Sequence, residues 1–412
     1  MNVFSRHSRH CLLLLVLPSL LLGCATKPPA ETPAPPVQDD TFITPAGLEP
    51  QVEFWVKVYS HWSQGQVALH DNRHMDLVYR VLELPGPVSD GYSKDSRRYV
   101  REQQRWLKQQ LNELEQNHSQ GLPLSSQQQA LAEQITAVAG EQAIWGAAER
   151  LRSQRGLRER FQRGLAISTR YVPLFQQIFR NAGLPADLAY LPHVESSFQA
   201  HARSSVGATG MWQFTKGAAR TFMTDHPGVD ERLDPVASAK GAARYLATAH
   251  RYLDSWPLAL TSYNHGIGSM RKARERFGTD FMQIVRYYDR PSFGFASRNF
   301  YAEFLAARAI ARSPETYFPT GVDSLPQLEL DSIVLADSIG SDQLARYFAV
   351  PKPDLVELNP AWTAAAVRGK VALPPGLTVW LPRGAVERRD DINRRLVAEG
   401  QLQSSATDGL IE

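Results

Sequence analysis

The chain has 412 residues, 43% of them hydrophobic and 21% charged, enough apolar material for a sizeable core and more than one domain. That composition excludes fibrous and disordered classes for most of the length. A formal net charge of only +3 leaves no electrostatic footprint for a nucleic-acid partner.

Residues 1–23 stand apart from the fold. Arg6 and Arg9 precede an apolar run, Leu12 to Leu22, that is too short to span a bilayer comfortably and is followed by small residues. This pattern reads as an export signal. Its end, Leu21-Leu22-Gly23-Cys24, resembles the lipobox of bacterial lipoproteins, which implies cleavage before Cys24 and acylation of that residue. Cys11 lies inside the removed segment, so Cys24 is the one cysteine expected in the mature chain and no disulfide can form within it. Ala25, where an acid is absent, resembles outer-membrane sorting. The expected location is the periplasmic face of the outer membrane, by a lipid anchor. Residues 24–47 include a stretch rich in proline and alanine that suits an extended tether.

From 48 to 164 the pattern predicts a helical region, because apolar residues recur three and four apart in "VEFWVKVYSHW", "RRYVREQQRWLKQQLNEL" and "SSQQQALAEQITAVAGEQAIWGAAERL". Ser126 with Gln129 is expected to form a capping box for the third. Trp55, Tyr59 and Trp62 could be imagined as a sugar-stacking platform, but their spacing places them on one helical stripe and predicts core packing. "HDNRH", His70 to His74, has the histidine spacing of a zinc-protease helix. Aspartate stands where that motif has its glutamate base and no third ligand follows, so no metal is assigned. The arginine-rich stretch 150–163 reads as a solvated helix face.

Gly183 and Pro185 are expected to stop the helix containing "YVPLFQQIF". Residues 184–312 again read as helices, broken by the segment 204–210 and by turns near Pro227 and Gly266. Pro235 suits a first helical turn, with Asp234 as its cap. Beyond Thr320 the character changes. "LELDSIVLA" reads as a strand, two short helical patterns follow, and "TVWLP" closes as a strand, a small α+β module over 322–383. Residues 384–412 read as a polar tail.

Chemistry concentrates in three segments. "LPHVESSFQA" isolates one acid, Glu195, among apolar and small residues, with Pro192 marking a fresh helical start. If Val194 and Phe198 bury it, its pKa rises, as a general acid near neutral pH requires. "SSVGATGMWQF" follows. Gly207 and Gly210 allow tight backbone approach there, Ser204, Thr209 and Gln213 offer neutral hydrogen bonds, and Trp212 is a candidate cleft residue. "LALTSYNHGIG" then places Tyr263 and Asn264 at the end of an apolar helix stopped by Gly266. Each segment alone is compatible with packing and capping.

Together the three resemble the lytic transglycosylase domain of the soluble lytic transglycosylase (SLT) type, and within it the membrane-bound lytic murein transglycosylase D group. The acid motif stands as Glu195-Ser196, the Ser-x-x-Gly-Ala-x-Gly-x-x-Gln pattern as Ser204, Gly207, Ala208, Gly210 and Gln213, and the Ala-Tyr-Asn-x-Gly pattern as Ser262, Tyr263, Asn264 and Gly266. Ser262 departs from the usual alanine. Ala296 stands where related enzymes often carry glutamate. The resemblance covers roughly 165–312 and implies a mainly α chain: a lysozyme-like helical catalytic domain, preceded by the N-terminal helical region and followed by the α+β module, which loosely resembles a LysM-type wall-binding unit.

Most glycosidases need two carboxylates flanking the bond. The motif supplies one, and Asp225, Asp230 and Asp234 lie in a turn leading to a helix cap. The resemblance implies a substrate, peptidoglycan, that furnishes its own nucleophile: the C6 hydroxyl of N-acetylmuramic acid attacks its own anomeric carbon and leaves a 1,6-anhydro sugar. Glu195 would act as acid and then base, with Ser204, Gln213, Tyr263 and Asn264 binding substrate and no cofactor required. A water-using hydrolase like goose-type lysozyme and a non-catalytic wall-binding lipoprotein are the rivals.

Overall fold

The computed structural model describes residues 41–390. The expected signal segment, Cys24, most of the tether and the end of the polar tail lie outside the described residues. The fold is mainly helical, as expected, with two small sheets. In chain order the N-terminal part runs α1 (Glu49–Ser60), β1 (Gln66–Asp71), β2 (Val78–Glu83), α2 (Lys94–Ser119), α3 (Ser126–Ala139), α4 (Ala147–Arg150) and β3 (Leu151–Arg155). The central helices are α5 (Arg158–Ser168), α6 (Val172–Asn181), α7 (Pro192–Glu195), α8 (Lys216–Phe222), α9 (Pro235–Leu253), α10 (Trp256–His265), α11 (Ile267–Phe277), α12 (Phe281–Tyr287), α13 (Phe295–Arg312) and α14 (Pro314–Tyr317). The C-terminal part is β4 (Leu330–Val334), α15 (Ser341–Phe348), α16 (Lys352–Leu358), α17 (Ala364–Val367) and β5 (Thr378–Pro382).

The N-terminal region departs from the helical expectation. Strands β2, β1 and β3 form an antiparallel sheet with β1 in the middle, pairing Val67 with Leu82 on one side and with Arg155 on the other. Strand β1 is buried along nearly its whole length, so it lacks the alternation that would have marked it. Strand β3, "LRSQR", is polar enough to read as part of a solvated helix. The arginines of 150–163 are correspondingly engaged rather than free in solvent. Arg150 pairs with buried Asp71 at 2.7 Å, Arg155 donates to the carbonyl of Gln64 at 2.6 Å, and Arg158 donates to the carbonyl of Ser60 at 3.0 Å. The capping box sits one residue earlier than expected, on Ser125 and Gln128. The repeated letters of "SSQQQ" leave that register ambiguous until the first turn is fixed.

Helix α1 does not belong to a separate N-terminal body. Its Phe54, Trp55, Val58 and Tyr59 enter the large core shared with α5, α6, α9, α10 and α13, and α1 packs directly along α13. The stripe expectation for Trp55 and Tyr59 therefore holds, and Trp62 packs partly buried against the same core. A second core lies under the three-stranded sheet, where Val67, Leu69 and Leu82 meet Leu107, Leu111 and Leu114 of α2.

Helix α9 begins as its sequence predicts. Pro235 occupies the first turn and Asp234 accepts from the amides of Val236 and Ala237 at 2.7 and 2.9 Å. Helix α6 ends before Gly183, which takes a positive φ of 69°. The C-terminal part is the expected α+β unit: β4 and β5 pair antiparallel, Leu330 opposite Pro382, over a core of their own. It is docked on the turn before α9. The amide of Asp230 donates to the carbonyl of Ala361 at 2.7 Å, Val229 enters the unit's core, and the indole of Trp380 donates to Asp234 at 2.8 Å.

Candidate active site

Glu195 is the last residue of α7, a single turn that opens with Pro192. The chain then bends abruptly. Ser197 and Phe198 both take positive φ, 53° and 58°, in the left-handed region that side-chain-bearing residues seldom occupy and that costs on the order of 1 kcal/mol each. Packing compensates for the strain. The amides of Ser196 and Phe198 both donate to the carbonyl of Pro192, and Phe198 is buried against Phe175 and His193. Helix α5 closes from the other side at Gly164, where a Cβ would stand 2.9 Å from the carbonyl oxygen of Ser197.

The 204–213 segment is a folded loop pinned to that bend. The Ser204 hydroxyl accepts from the amide of Ala208 at 3.0 Å, and the Gln213 side-chain amide donates to the carbonyls of Gly210 and Ala202 at 2.7 and 3.2 Å. Gly210 is required by geometry: at φ 83°, a Cβ there would fall 1.7 Å from the carbonyl oxygen of Arg232. Gly207 serves only the turn, since nothing lies near its missing Cβ. Trp212 is no cleft residue. It is fully buried against Phe175 and Phe179, a large ring spent on packing.

Two successive carbonyls of this loop join the three motifs. The Ser196 hydroxyl donates to the carbonyl of Met211 at 2.7 Å, and the Tyr263 hydroxyl, from the end of α10, donates to the carbonyl of Trp212 at 2.9 Å. Tyr263 also packs edge-on against Tyr245 and Phe214. Asn264 is exposed, with its side-chain oxygen accepting from Ser297 of α13 at 2.7 Å. Segments some 70 residues apart in sequence are thus fixed around Glu195 by hydrogen bonds to main chain.

Glu195 itself is partly accessible, so a substrate can reach it, yet protein encloses the carboxyl closely. Burial, and secondly the charge of Glu303, push its pKa up to about 8. Glu303, on α13, is a second carboxyl pushed up to about 8 by burial, with a hydrogen bond from Tyr59 acting in the opposite direction. Burial, with the Glu195 charge secondary, raises Tyr263 well above the usual phenol range, so its hydroxyl stays protonated and remains a donor. His193, sandwiched by Phe161 and Phe198, is driven down to about 3 by burial and stays neutral.

Sequence reasoning missed Glu303. It lies in "NFYAEFLAA", between buried Phe300 and Phe304, and an acid in an otherwise apolar helical run was the available signal. The aspartates at 225, 230 and 234 have structural uses. Asp225 is exposed near Arg220, Asp230 is gripped by Arg232 at 2.8 Å through both oxygens, and Asp234 caps α9. Asp71 of "HDNRH" likewise holds Arg150 and the amides of Arg73 and His74. Among the described residues no group of three or more His, Cys, Asp or Glu side chains is placed to hold a metal ion. A cavity of about 670 Å³ beside Arg73, Arg286 and Arg298 has no residue of the three motifs in its wall.

Residues 174–282 match the transglycosylase SLT domain family. Membrane-bound lytic murein transglycosylase F 2 of Alkalilimnicola ehrlichii is 40% identical over 114 residues, covering 26% of this chain and 24% of that protein. Membrane-bound lytic murein transglycosylase D of Escherichia coli is 33% identical over 96 residues, covering 23% of this chain and 21% of that protein. The chain therefore spans less than a quarter of the length of these relatives, and the likeness is one of the domain that holds Glu195.

Proposed function

We propose, from the transglycosylase SLT domain carried on residues 174–282, that this chain is a peptidoglycan lytic transglycosylase. It cleaves the β-1,4 bond between N-acetylmuramic acid and N-acetylglucosamine and forms 1,6-anhydro-N-acetylmuramic acid. The observation that carries the reading is Glu195, an enclosed but reachable carboxyl with a pKa pushed up to about 8, at the junction of the three motifs. Such a group is protonated at neutral pH.

In this reading Glu195 gives its proton to the glycosidic oxygen as the bond to the anomeric carbon breaks. The resulting carboxylate then takes the proton of the C6 hydroxyl as that oxygen attacks the same carbon. The acid is regenerated and no water is consumed. An intramolecular hydroxyl has a large effective concentration, which offsets the lack of a nucleophilic side chain. Tyr263 and Asn264, at the end of α10, offer groups to orient the 2-acetamido substituent, while Ser204 and Gln213 hold the loop on which the sugar rests. The C-terminal α+β unit, in the same reading, is a LysM-like contact that keeps the domain on its polymer. Acylated Cys24 anchors the protein to the outer membrane. No helix among the described residues is long and apolar enough to cross a membrane.

Digestion of purified sacculi by the mature protein and by Glu195→Gln, with mass analysis of the products, tests the proposal. The expected products are one water lighter than hydrolytic fragments, and Glu195→Gln releases none. Glu303 favours one competing reading, since a second carboxyl near the acid can, once ionised, activate water in a hydrolase on the same fold. Products carrying free reducing ends throughout would establish that alternative instead.

A further inference from the structure

We propose that Glu303 is the positioning residue that keeps the proton on Glu195: Glu303 ionises ahead of it, and the resulting carboxylate, anchored by the Tyr59 hydroxyl, opposes ionisation of the acid. The proposal rests on the reading of Glu195 as proton donor.

Three elements deliver the arrangement. Helix α13 packs on both α7 and α1, and presents Glu303 from a turn whose neighbours Phe300, Phe304 and Ala307 are buried. Helix α1 presents Tyr59, whose hydroxyl donates to Glu303 Oε2 at 3.4 Å. That donor is held in place by an aromatic column: Tyr59 stacks on Phe161 at 4.8 Å, and Phe161 stacks on His193 of α7 at 4.8 Å. Tyr59 and the turn bearing Glu195 are therefore fixed to one another through α5.

The two carboxyls differ in what bonds to them. Glu303 receives the Tyr59 hydroxyl, whereas no side chain among the described residues hydrogen-bonds the Glu195 carboxyl. A donor stabilises a carboxylate, so when the pair holds a single proton that proton resides on Glu195. The groups facing the pair do not cancel this bias. Arg160 of α5 is directed to the carbonyl of Ser196 at 3.4 Å, His193 is kept neutral by burial, and Tyr245 of α9 and Tyr263 of α10 keep their protons. The N-terminal helix thereby contributes to the chemistry as well as to the core.

The test is the pH dependence of fragment release from purified sacculi by the full mature protein, Glu303→Gln and Tyr59→Phe. In Glu303→Gln the alkaline limb of the rate moves to lower pH by at least about one unit, and in Tyr59→Phe it moves the same way by less. A limb that stays where it is in Glu303→Gln overturns the proposal. Carboxyl-labelled glutamate NMR, with Glu195→Gln as the assignment reference, gives the same answer without turnover: the Glu195 midpoint falls in Glu303→Gln, and an unchanged midpoint again overturns it. Retained cleavage by Glu195→Gln would instead refute the reading of Glu195 on which the proposal stands.

Discussion

Replacing Glu195 by glutamine should stabilise the protein, and by an amount that depends on pH. In the unfolded chain Glu195 titrates near its ordinary 4.5, and in the folded chain its pKa is pushed up to about 8. Between those values the folded state binds a proton that the unfolded state does not, so stability falls as pH rises through the window. For an isolated group the loss at about pH 7 would be about 3 kcal/mol, and sharing of charge with Glu303 lowers that to roughly 2–3 kcal/mol. Glutamine keeps the shape and cannot ionise, so it removes the penalty. Urea unfolding followed by circular dichroism, at several pH values from about 4 to about 9, measures it. The parent and Glu195→Gln should coincide at the acid end, below the unfolded pKa. They should separate as pH rises from about 4.5 and run parallel above about 8. A glutamine variant no more stable than its parent at neutral pH would refute the claim that folding holds this carboxyl in a desolvated position.

Three further substitutions follow from the geometry. Asp234→Ala removes the cap of α9 and the acceptor for the Trp380 indole, and is expected to cost about 2 kcal/mol, read as a lower urea midpoint. Gly210→Ala sets a Cβ against the Arg232 carbonyl in a backbone conformation that resists side chains; a loss of about 3 kcal/mol or more, with poor soluble yield, is the expected outcome. Tyr263→Phe removes the bond to the Trp212 carbonyl and should cost about 1 kcal/mol of stability. The rate of sacculus digestion should fall with it, by about tenfold or more, because the loop loses its tie to α10 beside Glu195.

Local signals carried much of the fold. Apolar spacing marked α1, α2 and α3, Asp234 and Pro235 marked the start of α9, Gly183 marked the end of α6, and the strand patterns near 330 and 380 marked the C-terminal unit. These features depend on residues within a turn or two of one another, and the chain can be read for them directly. The isolated acid in "LPHVESSFQA" was legible for the same reason. Strand β1 was not, because a strand covered on both faces loses its alternation, and the partners that cover it lie far along the chain. Trp212 was misread as a cleft residue because side-chain direction depends on what packs around it.

The sequence by itself singled out Glu195 as the candidate proton donor and marked the helical segments next to it in the chain. Only the tertiary structure decided the state of that proton. A carboxyl's pKa is a property of its surroundings, and here these are first the packing that buries Glu195 and then the charge of Glu303, more than 100 residues downstream, which is itself bonded by Tyr59, more than 100 residues upstream. No spacing rule connects three positions that far apart. Packing of α1, α7 and α13 into one core brings them within electrostatic reach.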